Sequence, residues 1–184
     1  IADADTVLDD GAVVVENDTI VAVGEETALR ERYSGHDRRT FDLVAPGLVG
    51  GHVHSVQSLG RGIADDAALL DWLFEAVLPM EAAMDAEATR AAAELAYLEC
   101  LGSGTTTVVD HLSVNHAAEA FEAAIETGIR GRLGKVLMDQ RSPDGLIEET
   151  QAGLAESEAL ISEYHGAADG RIRYAVTPRF AVSC

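Results

Sequence analysis

Two short runs of β-forming residues open the chain. Gly11-Ala12-Val13-Val14-Val15-Glu16 and Thr19-Ile20-Val21-Ala22-Val23 flank Asn17-Asp18, a turn pair, so the pattern predicts a β-hairpin. The polar stretch 25–39 predicts a loop or a short helix. Residues 40–44 then lead to Ala45-Pro46-Gly47, a turn and a boundary. Beyond Pro46 the periodicity changes. Leu48-Val49-Gly50-Gly51-His52-Val53-His54 is a short apolar run with a polar end. Thr105-Thr106-Thr107-Val108-Val109 is β-branched throughout, which suits a buried strand, and 131–138 and 172–177 predict two more. Helical patterns separate them. An apolar segment, 69–84, surrounds Trp72 and is interrupted by Pro79. An Ala- and Glu-rich helix starts at Asp85 as its N-cap and stops at Gly102. Residues 116–127 close at Gly128, and 146–165 form the last helix. Four strands alternating with helices predict a parallel α/β sheet. The expected organisation is a small β-rich segment, 1–45, followed by an α/β part, 46–184.

Charge narrows the partners. The 184 residues carry 13 basic and 32 acidic side chains, a formal net charge of -19. Nucleic acid is excluded as a partner, because phosphate binding needs clustered Lys and Arg. Only Lys135 is a lysine. Abundant carboxylates with almost no lysine point to a high-salt cytoplasm, where salt screens self-repulsion; a merely acidic mesophilic protein is the other reading. Cys100 and Cys184 are too few and too distant for a disulfide framework, which suits a reducing compartment. No apolar run approaches the ~20 residues of a membrane span. No leader pattern opens the chain, although it begins at Ile1 rather than Met. The expected partner is a small-molecule substrate, and a homo-oligomer is compatible with the chain.

Candidate chemistry centres on His52-Val53-His54. Residues i and i+2 of a strand face the same side, so two imidazoles stand together at a strand's carboxyl end. Neutral imidazole suits zinc, iron or nickel. A surface or structural histidine pair is the alternative. Gly50 and Gly51 would permit close backbone approach. Asp110 and His111 end the second barrel-type strand and would face the same mouth. His36, His116 and His165 read as ordinary loop or helix-end residues. Cys100 has no adjacent base to make it a nucleophile.

The string Ala45-Pro46-Gly47-Leu48-Val49-Gly50-Gly51-His52-Val53-His54 resembles the opening of the amidohydrolase superfamily. Leu69-Leu70-Asp71-Trp72-Leu73, Pro79-Met80-Glu81 and Gly102-Ser103-Gly104-Thr105-Thr106-Thr107 look like its branch of hydrolytic deaminases and s-triazine hydrolases. The resemblance covers nearly the whole chain. It implies the N-terminal portion of a metal-dependent (β/α)8 TIM barrel, its first four β/α units, preceded by a small β-domain. It implies one divalent metal, zinc favoured over iron, held in part by His52 and His54. A third histidine, an aspartate and a proton-shuttling glutamate are expected beyond residue 184. No catalytic acid or base is therefore expected before it, and this chain alone is expected to be inactive.

The same resemblance assigns substrate-binding positions. Gln57 and Arg179, with Gly134-Lys135-Val136-Leu137-Met138-Asp139 and Val176-Thr177-Pro178-Arg179-Phe180, are similar to guanine deaminase strings, where the two polar residues hold the base. Glu81 matches a carboxylate that can hold ribose hydroxyls in nucleoside deaminases, and Trp72 would wall the pocket. Taken alone, Glu81 reads as a solvated helix residue and Trp72 as core. Ser58-Leu59-Gly60-Arg61-Gly62-Ile63-Ala64-Asp65-Asp66 looks more like the nucleoside and triazine members, whereas a His-Ser-Pro string common among the former is missing near Arg179. The expectation is an aminohydrolase of an amino-substituted N-heterocycle, guanine-like purine favoured. Its alternatives are a deaminase of 5'-deoxyadenosine, methylthioadenosine or adenosylhomocysteine, and a triazine chlorohydrolase. A non-catalytic metal- or ligand-binding α/β domain is the reading from another class.

Overall fold

A computed structural model of the protein describes residues 6–184, which divide into two compact units with the boundary between Pro46 and Gly47. In the first, β1 (Gly11–Glu16) and β2 (Thr19–Glu25) pair antiparallel, from Gly11 opposite Glu25 to Glu16 opposite Thr19. Asn17 adopts φ +57°, the left-handed geometry a two-residue hairpin turn requires. The polar stretch that follows resolves into one short helix, α1 (Glu26–Arg32), and then coil. The Glu26 N–H donates to Asp10 O at 2.8 Å, and Arg38 Nη2 lies 2.7 Å from Glu26 Oε1.

The second unit holds β3 (Leu48–Val53), β4 (Thr105–His111), β5 (Arg130–Gly134), β6 (Val136–Leu137), β7 (Ile172–Tyr174) and β8 (Thr177–Pro178). β3, β4, β5 and β7 pair in that order, every pair parallel, and β6 pairs with β8 as a short extension. The expected strands 131–138 and 172–177 are therefore each split in two. The first breaks at Lys135, whose carbonyl accepts the Thr177 hydroxyl at 2.6 Å. Close approach sets the register here. A Cβ on Gly134 would stand 2.2 Å from the carbonyl oxygen of Ala175, so only glycine fits. The close approach expected at Gly51 does not occur, since a Cβ there would meet open space. At Gly50 it would meet only the side chains of Val53, Val108 and Thr105.

The connections are helical. α2 (Leu69–Asp71) passes through a wide π-type turn, Trp72–Val77, into α3 (Leu78–Ala83). Pro79 consequently does not interrupt the helix. The Leu78 N–H already donates five residues back, to Leu73 O, and the widened turn makes room for a residue that has no N–H. α4 (Ala86–Gly102) is capped by Asp85, which accepts from Ala88 N at 2.9 Å. α5 (Ala117–Thr127) ends at Gly128, with φ +83°. α6 (Thr150–Tyr164) begins later than the sequence suggests, at the cap Glu149, and α7 (Ala167–Gly170) is one irregular turn.

Two cores result. In the larger, Val108, Leu133 and Ile172 on the sheet pack against Tyr97 of α4 and Ala120, Phe121 and Ala124 of α5. Phe121 stacks on Tyr164 with ring centroids 4.8 Å apart. The alanines let the helices approach closely, and each fully buried large side chain contributes about 1.5–3 kcal/mol. The smaller core joins Leu73, Val77 and Leu78 to Val114, Val136, Met138 and Leu146, which follow the carboxyl ends of β4 and β5. Among the described residues no helix is long and apolar enough to cross a membrane.

Candidate active site

The carboxyl ends of β3 and β4 lie side by side and bring three histidines together. The imidazoles of His52 and His54 stand 4.9 Å apart, nearly perpendicular. His111, the last residue of β4, adds a third ring, 4.9 Å from His52 and 5.5 Å from His54. Asp110 does not join them, contrary to expectation. Neighbours on a strand point to opposite faces, so Asp110 turns into the helical layer. There it is fully buried, accepting from Ser55 N at 3.1 Å and from the Tyr97 hydroxyl at 2.7 Å. Burial pushes its carboxyl above the usual carboxylate range, against those hydrogen bonds. The network pins Ser55, the residue that directly follows His54.

His54 is fixed in one tautomer. Its Nδ1 lies 2.9 Å from the carbonyl oxygen of His111. A carbonyl only accepts, so Nδ1 carries the proton and Nε2 keeps the lone pair that a metal requires. Burial, then the Arg179 guanidinium and the neighbouring His52, lower its pKa to about 4, so the ring is neutral at physiological pH. His111 is lowered too, first by burial and then by His52 and Arg179. A neutral imidazole with an outward lone pair, as at His54, fits a divalent metal by its donor chemistry. Among the described residues, no three His, Cys, Asp or Glu side chains stand where they could share an ion. Catalytic zinc generally has three protein ligands, so His52 and His54 fit as part of a set.

Glu81 is the second feature. Its place on α3 suggests solvent exposure, yet it is only 1% exposed. Gln57 Nε2 donates to its Oε1 at 2.6 Å, Ser113 Oγ to its Oε2 at 3.2 Å, and Arg179 Nη1 reaches both oxygens at 3.3–3.4 Å. The carboxylate thus joins the turn after β3, the segment after β4 and the residue after β8. A buried ion pair of this kind is tolerated only with such additional hydrogen bonds. The structure brings Gln57, Glu81 and Arg179 together, where they bind one another. Ser113 escaped the sequence reading; its signal is the i, i+2 spacing from His111.

A cavity of about 210 Å³ lies between these groups. The three histidines, Gln57 and Arg179 supply its polar side, and Trp72 and Phe180 are among its apolar walls. Trp72 is therefore only partly buried and lines the cavity. A larger cavity, about 590 Å³, shares His54, Gln57 and Trp72 but extends away from His52 and His111 towards Arg61 and Cys100.

The chain spans about 40% of the length of the curated relatives it matches. It is 38% identical over 182 residues to the 5-methylthioadenosine/S-adenosylhomocysteine deaminase 1 of Syntrophus aciditrophicus (strain SB), covering 97% of this chain and 40% of that protein. Among solved structures, guanine deaminase from C. acetobutylicum with bound guanine in the active site superposes with a TM-score of 0.83 at 28% identity. That match covers 94% of this chain and 42% of the other. An adenosine deaminase from Xanthomonas campestris with bound zinc superposes with a TM-score of 0.76 at 29% identity, over 95% and 39% of the two chains. Residues 11–33 match the imidazolonepropionase-like composite domain of bacteria. Residues 43–184, which include every site residue described above, match the amidohydrolase family, and the chain belongs to that family.

Proposed function

We propose that the complete protein is a metal-dependent hydrolytic deaminase of an amino-substituted purine. The observation that carries this reading is the His52–His54 pair, with His54 neutral and its Nε2 left as a donor, beside a cavity that has one polar and one aromatic side. His52 and His54 would hold a divalent ion; zinc is preferred to iron, in keeping with the zinc-bound relative from Xanthomonas campestris. When bound, the ion acts as a Lewis acid that makes water a nucleophile at neutral pH. The chain's own residues orient the ring. Trp72 and Phe180 offer apolar faces to a flat heterocycle, and Gln57 and Arg179 offer donors at its edge. Glu81 holds those two donors in place from behind. The remaining ligands and the proton-shuttling carboxylate belong to the part of the protein beyond this chain.

The higher identity to the 5-methylthioadenosine/S-adenosylhomocysteine deaminase supports an adenosine-type nucleoside as the substrate. Guanine is the second reading, supported by the placing of Gln57 and Arg179 on one cavity and by the superposition on a guanine-bound enzyme. A cytoplasm of high salt is the setting we propose, on the strength of the net charge of -19 and the single lysine. Ammonia release by the full-length protein tests the reading on 5'-deoxyadenosine, methylthioadenosine, adenosylhomocysteine, guanine and an aminotriazine. Turnover of a nucleoside supports the first reading, and turnover of guanine alone the second. Chloride release from a chlorotriazine without deamination of any purine would overturn both. A protein that binds no metal and turns over nothing would be the non-catalytic domain.

A further inference from the structure

Lys135 is the only lysine among 184 residues, its side chain is fully buried, and the deaminase reading gives it no role. It sits where β5 gives way to β6. Its ammonium donates to Val114 O at 2.6 Å and lies 3.0 and 2.9 Å from the two oxygens of Glu148, with Glu156 Oε2 at 3.4 Å. The ammonium therefore makes two hydrogen bonds, to Val114 O and Glu148 Oε1, inside a pair of carboxylates. Val114 directly follows Ser113, the hydroxyl of which holds Glu81, and lies three residues past His111. The backbone of Lys135 works in the other direction, its carbonyl accepting the Thr177 hydroxyl at 2.6 Å, two residues before Arg179. One residue therefore ties down both segments that bring donors to Glu81 from β4 and β8.

We propose that Lys135 is a positioning residue: its buried ammonium fixes the segment after β4 and its carbonyl fixes the segment after β8, which together set where Ser113 and Arg179 meet Glu81. A burial this complete is costly for an ammonium, and an apolar side chain would fill the same space without that cost. Methionine at this site would leave Val114 O without its donor and the Glu148 carboxylate without its cation. The segment after β4 would then keep its backbone bonds, Leu112 N to Gly134 O at 3.0 Å and Val136 N to Ser113 O at 3.1 Å, but lose the clamp beyond them; a displacement of about 1 Å at a positioning group is enough to cost a hundredfold in rate.

The test uses the full-length protein and three variants, Lys135→Met, the double variant Lys135→Met with Glu148→Gln, and Thr177→Val. Amide hydrogen exchange reads the clamp without reference to activity. Lys135→Met should speed exchange in residues 112–115 while α5 stays protected, and Thr177→Val should speed it in residues 177–180 alone. The kinetic arm rests on the deaminase reading. The double variant removes the buried ammonium and its partly buried partner, so its melting temperature should return towards wild type. Its kcat/KM should nevertheless remain down by about tenfold or more, because Val114 O still lacks a donor. Unchanged exchange in both segments would overturn the proposal. A double variant that recovers stability and kcat/KM together would also overturn it, leaving Lys135 a purely structural ion pair. A wild-type protein that deaminates none of the purines would defeat the deaminase reading, while the exchange measurements would still decide the role of Lys135.

Discussion

A single oxygen, the carbonyl of His111, decides which nitrogen of His54 can meet a metal. Metal analysis of the full-length protein should give about one ion per chain, as single-metal catalytic sites do. With His52→Ala and His54→Ala together, the content should fall to background, and unchanged metal would exclude the pair as ligands. Behind them, Tyr97→Phe removes the hydroxyl that donates to Asp110 and accepts from Ser55 Oγ. A buried carboxylate deprived of one donor should lower stability by about 1–3 kcal/mol in urea unfolding. A change smaller than experimental scatter would show that Asp110 does not depend on it. The His52–His54 pair is legible in the sequence because strand periodicity alone places it. The same periodicity places His111 at the neighbouring strand end, and the resemblance names Glu81, but the pairing of Glu81 with Gln57, Ser113 and Arg179 is not legible. The partners of Glu81 lie 24, 32 and 98 residues away, and no local pattern reports a pairing across that distance.

Among the elements, β4 announced itself through its β-branched run and α5 through its terminal glycine, both local signals. The breaks that separate β5 from β6 and β7 from β8 were hidden, because the bond of the Thr177 hydroxyl to the Lys135 carbonyl, 42 residues away, forms only once the strands are adjacent. Pro79 misled in the opposite sense, its breaking tendency being met by a change in helix width. Two glycine substitutions separate a clash of backbones from local strain. Gly134→Ala would drive a methyl to 2.2 Å from the Ala175 carbonyl and should cost about 1–3 kcal/mol or more, as overpacking does. Gly128→Ala, at φ +83°, meets only the tip of Arg171 at 3.1 Å and should cost about 1–2 kcal/mol. Chemical denaturation of both variants checks the order; a Gly134→Ala protein as stable as wild type would mean that β7 can move away from β5.

For the molecule as a whole, charge dominates. Exposed ion pairs such as Arg61–Glu99 and the Arg90 links to Glu94 and Glu126 add little, because water and salt screen them. Even with all 13 basic side chains paired, 19 carboxylates remain in excess. The Debye length falls from about 30 Å at 0.01 M to about 3 Å at 1 M, so added salt should relieve repulsion across the surface. The melting temperature of the full-length protein should therefore rise with KCl over that range. A flat or falling curve would remove the halophilic reading. This property is fully legible in the sequence, since repulsion depends on composition far more than on where each carboxylate stands.

The wide turn before Pro79 gives the helix from Leu69 to Ala83 an unusual tolerance of length. A π-type turn accommodates one residue more than an α-turn, so the helices on either side keep their facing when that residue is lost. Deleting Glu75, which is exposed, would bring Leu73 and Val77 from four apart to three, still on one face. The same deletion within α4 would swing every later residue by about 100°. The shortened segment would, however, present Pro79 to an ordinary turn, where its ring clashes at about 3 kcal/mol. The extra residue and the proline are thus gained or lost together, and a chain lacking both should still deliver Glu81 to Arg179.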